Sequence, residues 1–351
     1  MAPNSHRSDL PHKKALTLEA FAKRVGFASA TVSYVLNGKA AKMKIAAATV
    51  EKIQTAAKRC GFRPNAIARS LRRQRSDTIG VITGSLDLSW TQRIIDGMQP
   101  VLDKAGLTAF IAIHRWNEAY EQRELRHLLE RQVDAIITQP LPTNGPFYSQ
   151  LIEANDAPLL LLGDSLPEWP QFNAVSWDSG PAAEAVVSHL IARGSQRIAF
   201  LGAQYATVMT QARYLGYCRQ LEKAGMAVDR RYVKWQPSGA PARPALEDLL
   251  KVKPAPDAIF VMNDALALQT LEFFSEIGLR VPEQIAVASM GDLPFSGTGL
   301  INLTTAREPC EELGAAAAEG IIELLQNPTA SCNRLITCVD LKLRNSTRSS
   351  P

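Results

Sequence analysis

The chain has 351 residues, is 46% hydrophobic and carries a formal charge of +5. That length is more than one compact unit needs, so a small head plus a larger body built from two lobes is expected. No apolar run approaches a membrane span, and Cys60, Cys218, Cys310, Cys332 and Cys338 show neither CxxC spacing nor an obvious pairing scheme. Membrane-spanning and disulfide-framework proteins are thereby set aside in favour of reduced thiols used as small apolar residues.

Residues 1–15 hold Pro3 and Pro11 and no apolar run of signal-peptide length, so a disordered start and a cytoplasmic protein are expected. From Leu18 the pattern turns helical: Leu18, Phe21, Ala22 and Val25 recur at helical spacing, Gly26 breaks it, and Val32, Val35 and Leu36 restart it. Two short helices joined by a tight turn follow. Ser29, Ala30, Ser33, Tyr34 and Asn37 fall together on the opposite face of the second helix, small or polar and of a size to reach base edges in a major groove. A third helix is expected from about Ala46 to Cys60, with Val50, Ile53 and Ala57 inward and Gly61 as its stop.

Charge coincides with this pattern. Residues 1–76 hold 16 Lys and Arg against 3 Asp and Glu, whereas residues 77–351 hold 23 against 31. A polyanion is the expected partner of the basic end, the alternative being a merely solvated face. The segment Lys39-Ala-Ala-Lys42-Met-Lys44 adds three cations, as phosphate contacts or as a plain solvated loop. The stretch from Pro64 to Arg73 suits a helix too short to stand alone in water, one that orders against a partner. From Thr78 onward short apolar runs (IGVIT, TAFIAI, DAIITQ, PLLLL, RIAFL, DAIFVM, QIAVASM) alternate with helix-like stretches. That is the pattern of parallel sheets with crossover helices, and the composition suggests two such sheets in succession. Phosphate-loop, GxSxG, HExxH and complete GxGxxG motifs are absent, and the five histidines show no ligand spacing, so neither catalysis nor a cofactor is expected.

TVSYVLNG at 31–38, GFRPNAIARSLR at 61–72, RIAFLGA at 197–203, RYLGY at 213–217, GLRVPEQIAV at 278–287, LTTAREP at 303–309 and RNST at 344–347 follow one another in an order that resembles the lactose-repressor family of bacterial transcription factors. The likeness covers residues 16–347. It implies an all-α helix-turn-helix head at 16–62, a hinge helix and linker at 63–76, and at 77–347 an α/β two-lobed body with two parallel sheets, similar to a periplasmic sugar-binding protein; residues 348–351 form a tail. The lobes are expected at 77–176 with 307–327 and at 177–306 with 333–347, the chain crossing near Trp177 and Asp178, near 304–307 and near 327–333. By this resemblance Ser29, Ala30 and Tyr34 discriminate bases, and Thr17, Thr31, Ser33 and Asn37 contact phosphates or brace the recognition helix. In the hinge Leu71 wedges between base pairs with Asn65 and Ala68 facing the minor groove. The family usually carries Ser or Thr where this chain has Ala28 and Ala46, so two helix caps are lost.

The resemblance implies a sequence-specific regulator, a repressor of double-stranded operator DNA, whose affinity a small molecule between the lobes controls. Arg213 matches the family's ligand-binding arginine, and Asn263 with Asp264 its ligand-binding strand-to-helix junction. Trp90 and Trp235 are stacking faces or plain core. Asp292 lies one position after the family's usual aspartate, where this chain has Gly291. GDLPF at 291–295 resembles the variant of gluconate-repressor-like members, which favours a sugar or sugar acid. Asp164 and Glu308 are neighbouring candidates. The absence of a heptad repeat after RNST points to a homodimer. A solute-binding receptor would need an export signal and no basic head, and a sugar-modifying enzyme would need a catalytic constellation.

Overall fold

The computed structural model of the chain describes residues 16–62, 75–86, 89–154, 157–163, 169–204, 208–237, 240–299 and 302–347. The expected disordered start, the C-terminal tail and nearly all of the expected hinge, Asn65, Ala68 and Leu71 included, lie outside these residues. The chain divides into two units, residues 1–76 and residues 77–351.

In the first unit helices α1 (Leu18–Val25), α2 (Ser29–Leu36) and α3 (Ala47–Cys60) close a small core of Phe21, Ala22, Val32, Val35, Ile53, Ala57 and Phe62. Phe21 and Phe62 stack with ring centroids 4.2 Å apart. Gly26 and Gly61, at φ 75° and 62°, end α1 and α3 in the left-handed conformation that a Cβ disfavours. Ala46 proves to be the N-cap of α3 rather than its first residue, and neither it nor Ala28 before α2 makes a side-chain cap.

The second unit carries two sheets. The first lobe runs β1 (Thr78–Thr83), α4 (Ser89–Ala105), β2 (Thr108–Ile113), α5 (Glu118–Glu130), β3 (Ala135–Thr138), α6 (Gly145–Glu153), β4 (Leu159–Gly163) and β5 (Asn173–Trp177). The second runs α7 (Gly180–Ala192), β6 (Ile198–Gln204), α8 (Val208–Lys223), β7 (Val233–Pro237), α9 (Arg243–Lys251), β8 (Ala258–Val261), α10 (Asp264–Glu276), β9 (Ala286–Gly291) and β10 (Thr304–Arg307). Then come α11 (Cys310–Gln326), β11 (Asn333–Ile336) and β12 (Leu341–Lys342). Among the described residues the first sheet has the order β11-β5-β4-β3-β1-β2, every pairing parallel. The second has the order β12-β10-β9-β8-β6-β7, parallel except for β12 against β10. Central strands such as TIGVIT and LLLLG are buried at every position, as sheets covered on both faces require. In each sheet the strand order reverses beside the first strand, between β1 and β3 and between β6 and β8, which opens a crevice at the carboxyl ends of the strands.

The crossings differ in detail from expectation. Trp177 stays in the first sheet and Arg307 in the second, so the first two crossings follow those residues. The third is displaced further: Asn333–Ile336 was expected in the second lobe but pairs in parallel with β5, and the chain crosses after Ile336. Cys332 anchors the strand there. Its backbone N–H donates to Asn173 Oδ1 at 2.8 Å, its carbonyl accepts from Ala174 N at 2.8 Å, and its thiol is buried against Gly320 of α11.

Helices α4 and α11 touch backbone to backbone, because a Cβ at Gly97 would lie 2.0 Å from Glu311 O and one at Gly314 would lie 1.9 Å from Ile94 O. Neither carbonyl can give way without moving its helix. Gly314→Ala is therefore expected to destabilise the body by about 3 kcal/mol while leaving the head's melting unchanged, as thermal or denaturant unfolding of the two units will show.

Candidate functional site

The head presents α2 as its candidate reading face. Ala30 is exposed, and Ser29, Thr31 and Tyr34 are half-buried at the surface. Ser33 does not belong to that face: it is buried, and Asn37 Nδ2 donates to its carbonyl at 2.7 Å and its hydroxyl at 3.2 Å. The pair braces the C-terminal turn of α2, the bracing half of its expected role. Thr17 serves as the N-cap of α1, its hydroxyl accepting from Ala20 N at 3.2 Å. Lys39, Lys42 and Lys44 are exposed on a turn closed by Met43 N to Lys39 O and Ile45 N to Ala40 O, both 3.0 Å, with Ala40 and Ile45 packed on the head core. The cations thus sit on an ordered turn.

In the body the crevices at the strand ends merge into one cleft, lined from both lobes, whose empty space with its open mouth is about 740 Å³. The first lobe contributes Trp90 and Thr91 from α4, Trp116 from the loop after β2 and Gln139 from the end of β3. The second contributes Met209, Thr210 and Arg213 from α8, Asn263 and Asp264 from the start of α10, and Met290, Gly291 and Leu293 at the end of β9; Glu308 stands at the second crossing.

Arg213 is the polar centre of this cleft. It is 4% exposed; Nη1 donates to Met262 O and Nη2 to Glu308 Oε1, each at 2.7 Å, and its guanidinium carbon lies 5.7 Å from the Trp177 ring centroid. One residue of the second lobe thus holds the chain at its first two crossings. Its Nε–H and the Trp90 indole N–H are buried without a protein partner among the described residues. Behind the cleft Arg93 of α4 donates to both Glu311 oxygens at 2.8 and 2.9 Å and to the carbonyls of Gly291 and Glu308 at 3.0 Å each. This guanidinium holds the Glu311 carboxyl below its usual range, and it ties the first lobe to the end of β9.

Of the six residues expected at the effector, the structure brings Trp90, Arg213, Asn263 and Asp264 together. Asn263 is engaged as the N-cap of α10, Oδ1 accepting from Leu266 N at 2.9 Å. Asp264 is fully buried and accepts from Ser289 and Ser296 Oγ at 2.5 Å each, Thr305 Oγ1 at 2.6 Å and Leu293 N at 2.9 Å. Its carboxylate therefore locks β9, β10 and the turn after β9 into the wall of the cleft. Two expectations are corrected. Trp235 is partly buried and packs on the core: its ring lies 5.2 Å from Phe200 and 5.5 Å from Tyr214, and it does not line the cleft. Asp292 is held away from the cleft by Arg344 at 2.6 Å, and Gly291 lines the wall in its place. Asp164 lies outside the described residues.

Sequence reasoning missed Trp116, Thr91, Gln139 and the methionines. Each sits at or near a strand's carboxyl end or on a first helical turn, where a parallel sheet places its ligand contacts. Trp116 is set by His114, which is fully buried, accepts from Trp116 N through Nδ1 at 3.1 Å and lies 3.1 Å from Gln139 O through Nε2. An accepting Nδ1 requires the proton on Nε2, which then donates to that carbonyl. Burial, partly opposed by the Gln139 bond, pushes the imidazole down to about 4. Among the described residues no group of His, Cys, Asp and Glu could hold a metal ion, and no helix is long and apolar enough to cross a membrane.

Residues 17–65 match the lacI family of bacterial regulatory proteins, and residues 187–347 match the periplasmic binding protein-like domain. The transcriptional regulator GntR of Pseudomonas aeruginosa is 30% identical over 333 residues, 94% of this chain and 95% of its own length. The chain belongs to the lacI family of bacterial regulatory proteins. The transcriptional repressor CytR of Escherichia coli strain K12 is 25% identical over 339 residues, spanning 96% of the present regulator and 98% of its own length. Among solved structures, a complex of the transcriptional regulator CelR with cellobiose is 26% identical with a TM-score of 0.71, covering 94% of this chain and 99% of its own. The lac repressor bound to ONPG, at 24% identity and a TM-score of 0.83 over 95% of this chain and 100% of its own, shares the fold. As a lacI-family member the chain is a DNA-binding transcriptional regulator with an effector-binding body and not an enzyme.

The His114 environment generates a pH prediction. Unfolded, the imidazole takes a proton near pH 6.5; folded, it refuses one until about pH 4. Stability from this group is complete above pH 6.5, falls between 6.5 and 4, and is then constant, a loss of about 3 kcal/mol. Denaturant unfolding of the parent and of His114→Asn should diverge in slope over that interval, the variant losing less. Equal slopes would place the acid sensitivity elsewhere.

Proposed function

We propose that the regulator acts as a homodimeric repressor whose head reads a pseudo-palindromic operator and whose cleft between the lobes takes a sugar or sugar acid that changes operator affinity. On α2, Ala30 offers a methyl to thymine, Tyr34 an aromatic edge or a hydroxyl and Ser29 a hydroxyl, while Thr17, Thr31 and the lysines of the 39–44 turn position the head on phosphates. Ser33 and Asn37 brace the helix from within. The hinge residues Asn65, Ala68 and Leu71 are assigned to the minor groove by the resemblance to the family alone. Edge strand β2 leaves Phe110 48% and Ile111 44% exposed, apolar surface of the kind a second copy covers.

The observation that carries the effector reading is Arg213, which lines the cleft from one lobe, is bonded to the chain at its crossings and keeps an unpartnered buried Nε–H. With the Trp90 indole N–H it gives two donors and no matching acceptor, beside apolar Met209, Met290 and Leu293. A hydroxylated ring with an apolar face satisfies that set. Among the described lining residues the charged groups are Arg213, Asp264 and Glu308, and Arg213 is already paired. A neutral sugar leaves the Arg213–Glu308 pair intact, whereas a sugar acid must draw Arg213 from Glu308 or lie against two carboxyl groups.

A thermal-shift screen of the full chain with cellobiose, D-glucose, D-gluconate and hypoxanthine tests the effector class; stabilisation by the purine alone would overturn it. Tyr34→Ala should change which operator bases are preferred. Lys42→Gln with Lys44→Gln should weaken all DNA about equally and lower the salt slope by roughly 2, near 0.9 per phosphate contact. An unchanged base preference in Tyr34→Ala would displace the reading face. Arg213→Lys keeps a cation beside Glu308 but loses the planar fork, so operator affinity should persist while its response to the screened ligand drops at least tenfold. A variant that responds as the parent does would remove Arg213 from the site.

A further inference from the structure

We propose that Trp116 is a specificity-determining wall of the effector cleft and that buried His114 is the residue that positions it; the inference rests on the cleft being the sugar site. Four residues form a closed cycle. His114 Nε2 donates to Gln139 O at 3.1 Å, Gln139 Oε1 accepts from Gly84 N at 3.1 Å, Gly84 lies under the Trp116 indole, and Trp116 N returns to His114 Nδ1 at 3.1 Å. A Cβ on Gly84 would sit 2.5 Å from the indole, so residue 84 must lack one for the ring to reach its seat. The imidazole meets the indole edge-on, centroids 5.5 Å apart at 88°.

The backbone shows why a hold is needed. The β1–β2 ladder continues past β2 through His114 N to Thr83 O at 2.9 Å and Arg115 N to Gly84 O at 3.0 Å. The chain then turns through two consecutive left-handed residues, Arg115 at φ 53° and Trp116 at φ 57°, before Asn117 caps α5. Non-glycine residues rarely adopt that region, and a pair of them persists only where surrounding bonds over-determine it. The turn brings the indole into the cleft lining with Trp90, Gln139 and Arg213. An aromatic face there selects ligands with an apolar ring face and rejects compact polar ones.

Two substitutions split the hydrogen bonds of His114. In His114→Asn the amide oxygen stands where Nδ1 stands and still accepts from Trp116 N; in His114→Gln the longer amide reaches Gln139 O and the Trp116 acceptor is lost. Hydrogen exchange on the full chain at pH 7 should show the Trp116 amide slow in the parent and in His114→Asn, and at least tenfold faster in His114→Gln. Acrylamide quenching of tryptophan fluorescence should lose a quenchable component in Trp116→Phe. Calorimetry with cellobiose, D-glucose and D-gluconate should show Trp116→Ala weakening the best-bound sugar at least tenfold and changing the rank order. His114→Gln should follow by about threefold and His114→Asn should stay near the parent. Equal loss of amide protection in the two His114 variants overturns the positioning role, and an unchanged rank order in Trp116→Ala overturns the specificity role. If none of the three sugars binds the parent, the sugar reading fails and the role given to Trp116 with it, whereas the exchange result still decides the hold by His114.

Discussion

A guanidinium and a carboxylate buried together, Arg213 and Glu308, set the terms on which the body works. Each is less than a tenth exposed, and removing two ions from water costs several kcal/mol apiece before any attraction is counted. The site offsets this with a 2.7 Å bond, the Met262 carbonyl and the Trp177 ring, so the pair is tolerable only where all three stand. Trp177 closes β5 and Glu308 follows β10, so the pair is satisfied in the lobe arrangement that brings these two crossings to α8. A different arrangement has to re-solvate the ions or find them new partners. A pair buried in this way favours discrete lobe positions over a continuum.

Arg93 makes the same point from the other side. Its guanidinium is shared between Glu311, at the start of a first-lobe helix, and the carbonyl of Gly291, at the end of a second-lobe strand. The Gly291 backbone also lines the cleft, beside the carboxylate of Asp264 with its four donors. A ligand that displaces this wall acts on Arg93, and whatever fixes Arg93 acts on the wall. An effector and an operator that each favoured one lobe arrangement would be linked through that equilibrium, each shifting the other by the same factor and by no more than its own differential affinity.

The head and the parallel strands were legible because they depend on local pattern, whereas Arg213, Asn263 and Asp264 were placed at the cleft only through the resemblance to the family. Helical spacing broken at Gly26 and Gly61 placed three helices, and wholly apolar runs such as IGVIT and PLLLL placed central strands. The polar or mixed strands NAVSW, VKWQP and NRLI carry no such signature, since they lie nearer the sheet edges and owe their place to neighbours. The third crossing was misplaced for that reason: Cys332 and Asn173, 159 positions apart, set the register. Trp235 and Trp90 look alike as sequence, each an aromatic near a strand or its loop. Only the topology separates them, because β7 is an outer strand flanked by Phe200 and Tyr214 whereas α4 begins at the strand-order reversal. Trp116 was hidden by its backbone, as two left-handed non-glycine residues in succession are not foreseeable from RWN.

The make-up of the head bears on how specificity can be achieved. Its two uncapped helices each forgo about 1 kcal/mol relative to a Ser or Thr cap, so a core of seven residues and one aromatic stack carries more of its stability. The face proposed to read bases holds Ala30, Ser29 and Tyr34 and lacks the Arg or Asn whose bidentate bonds supply about 1 to 3 kcal/mol of discrimination per base. A face of methyl, hydroxyl and ring selects by shape and apolar contact. On the proposed reading the remaining discrimination would come from the cost of deforming the duplex, which an apolar wedge in the minor groove imposes and which differs among base steps. On that reading the lysines of the 39–44 turn would contribute strength without choice, and the operator would be distinguished as much by how it bends as by what it displays.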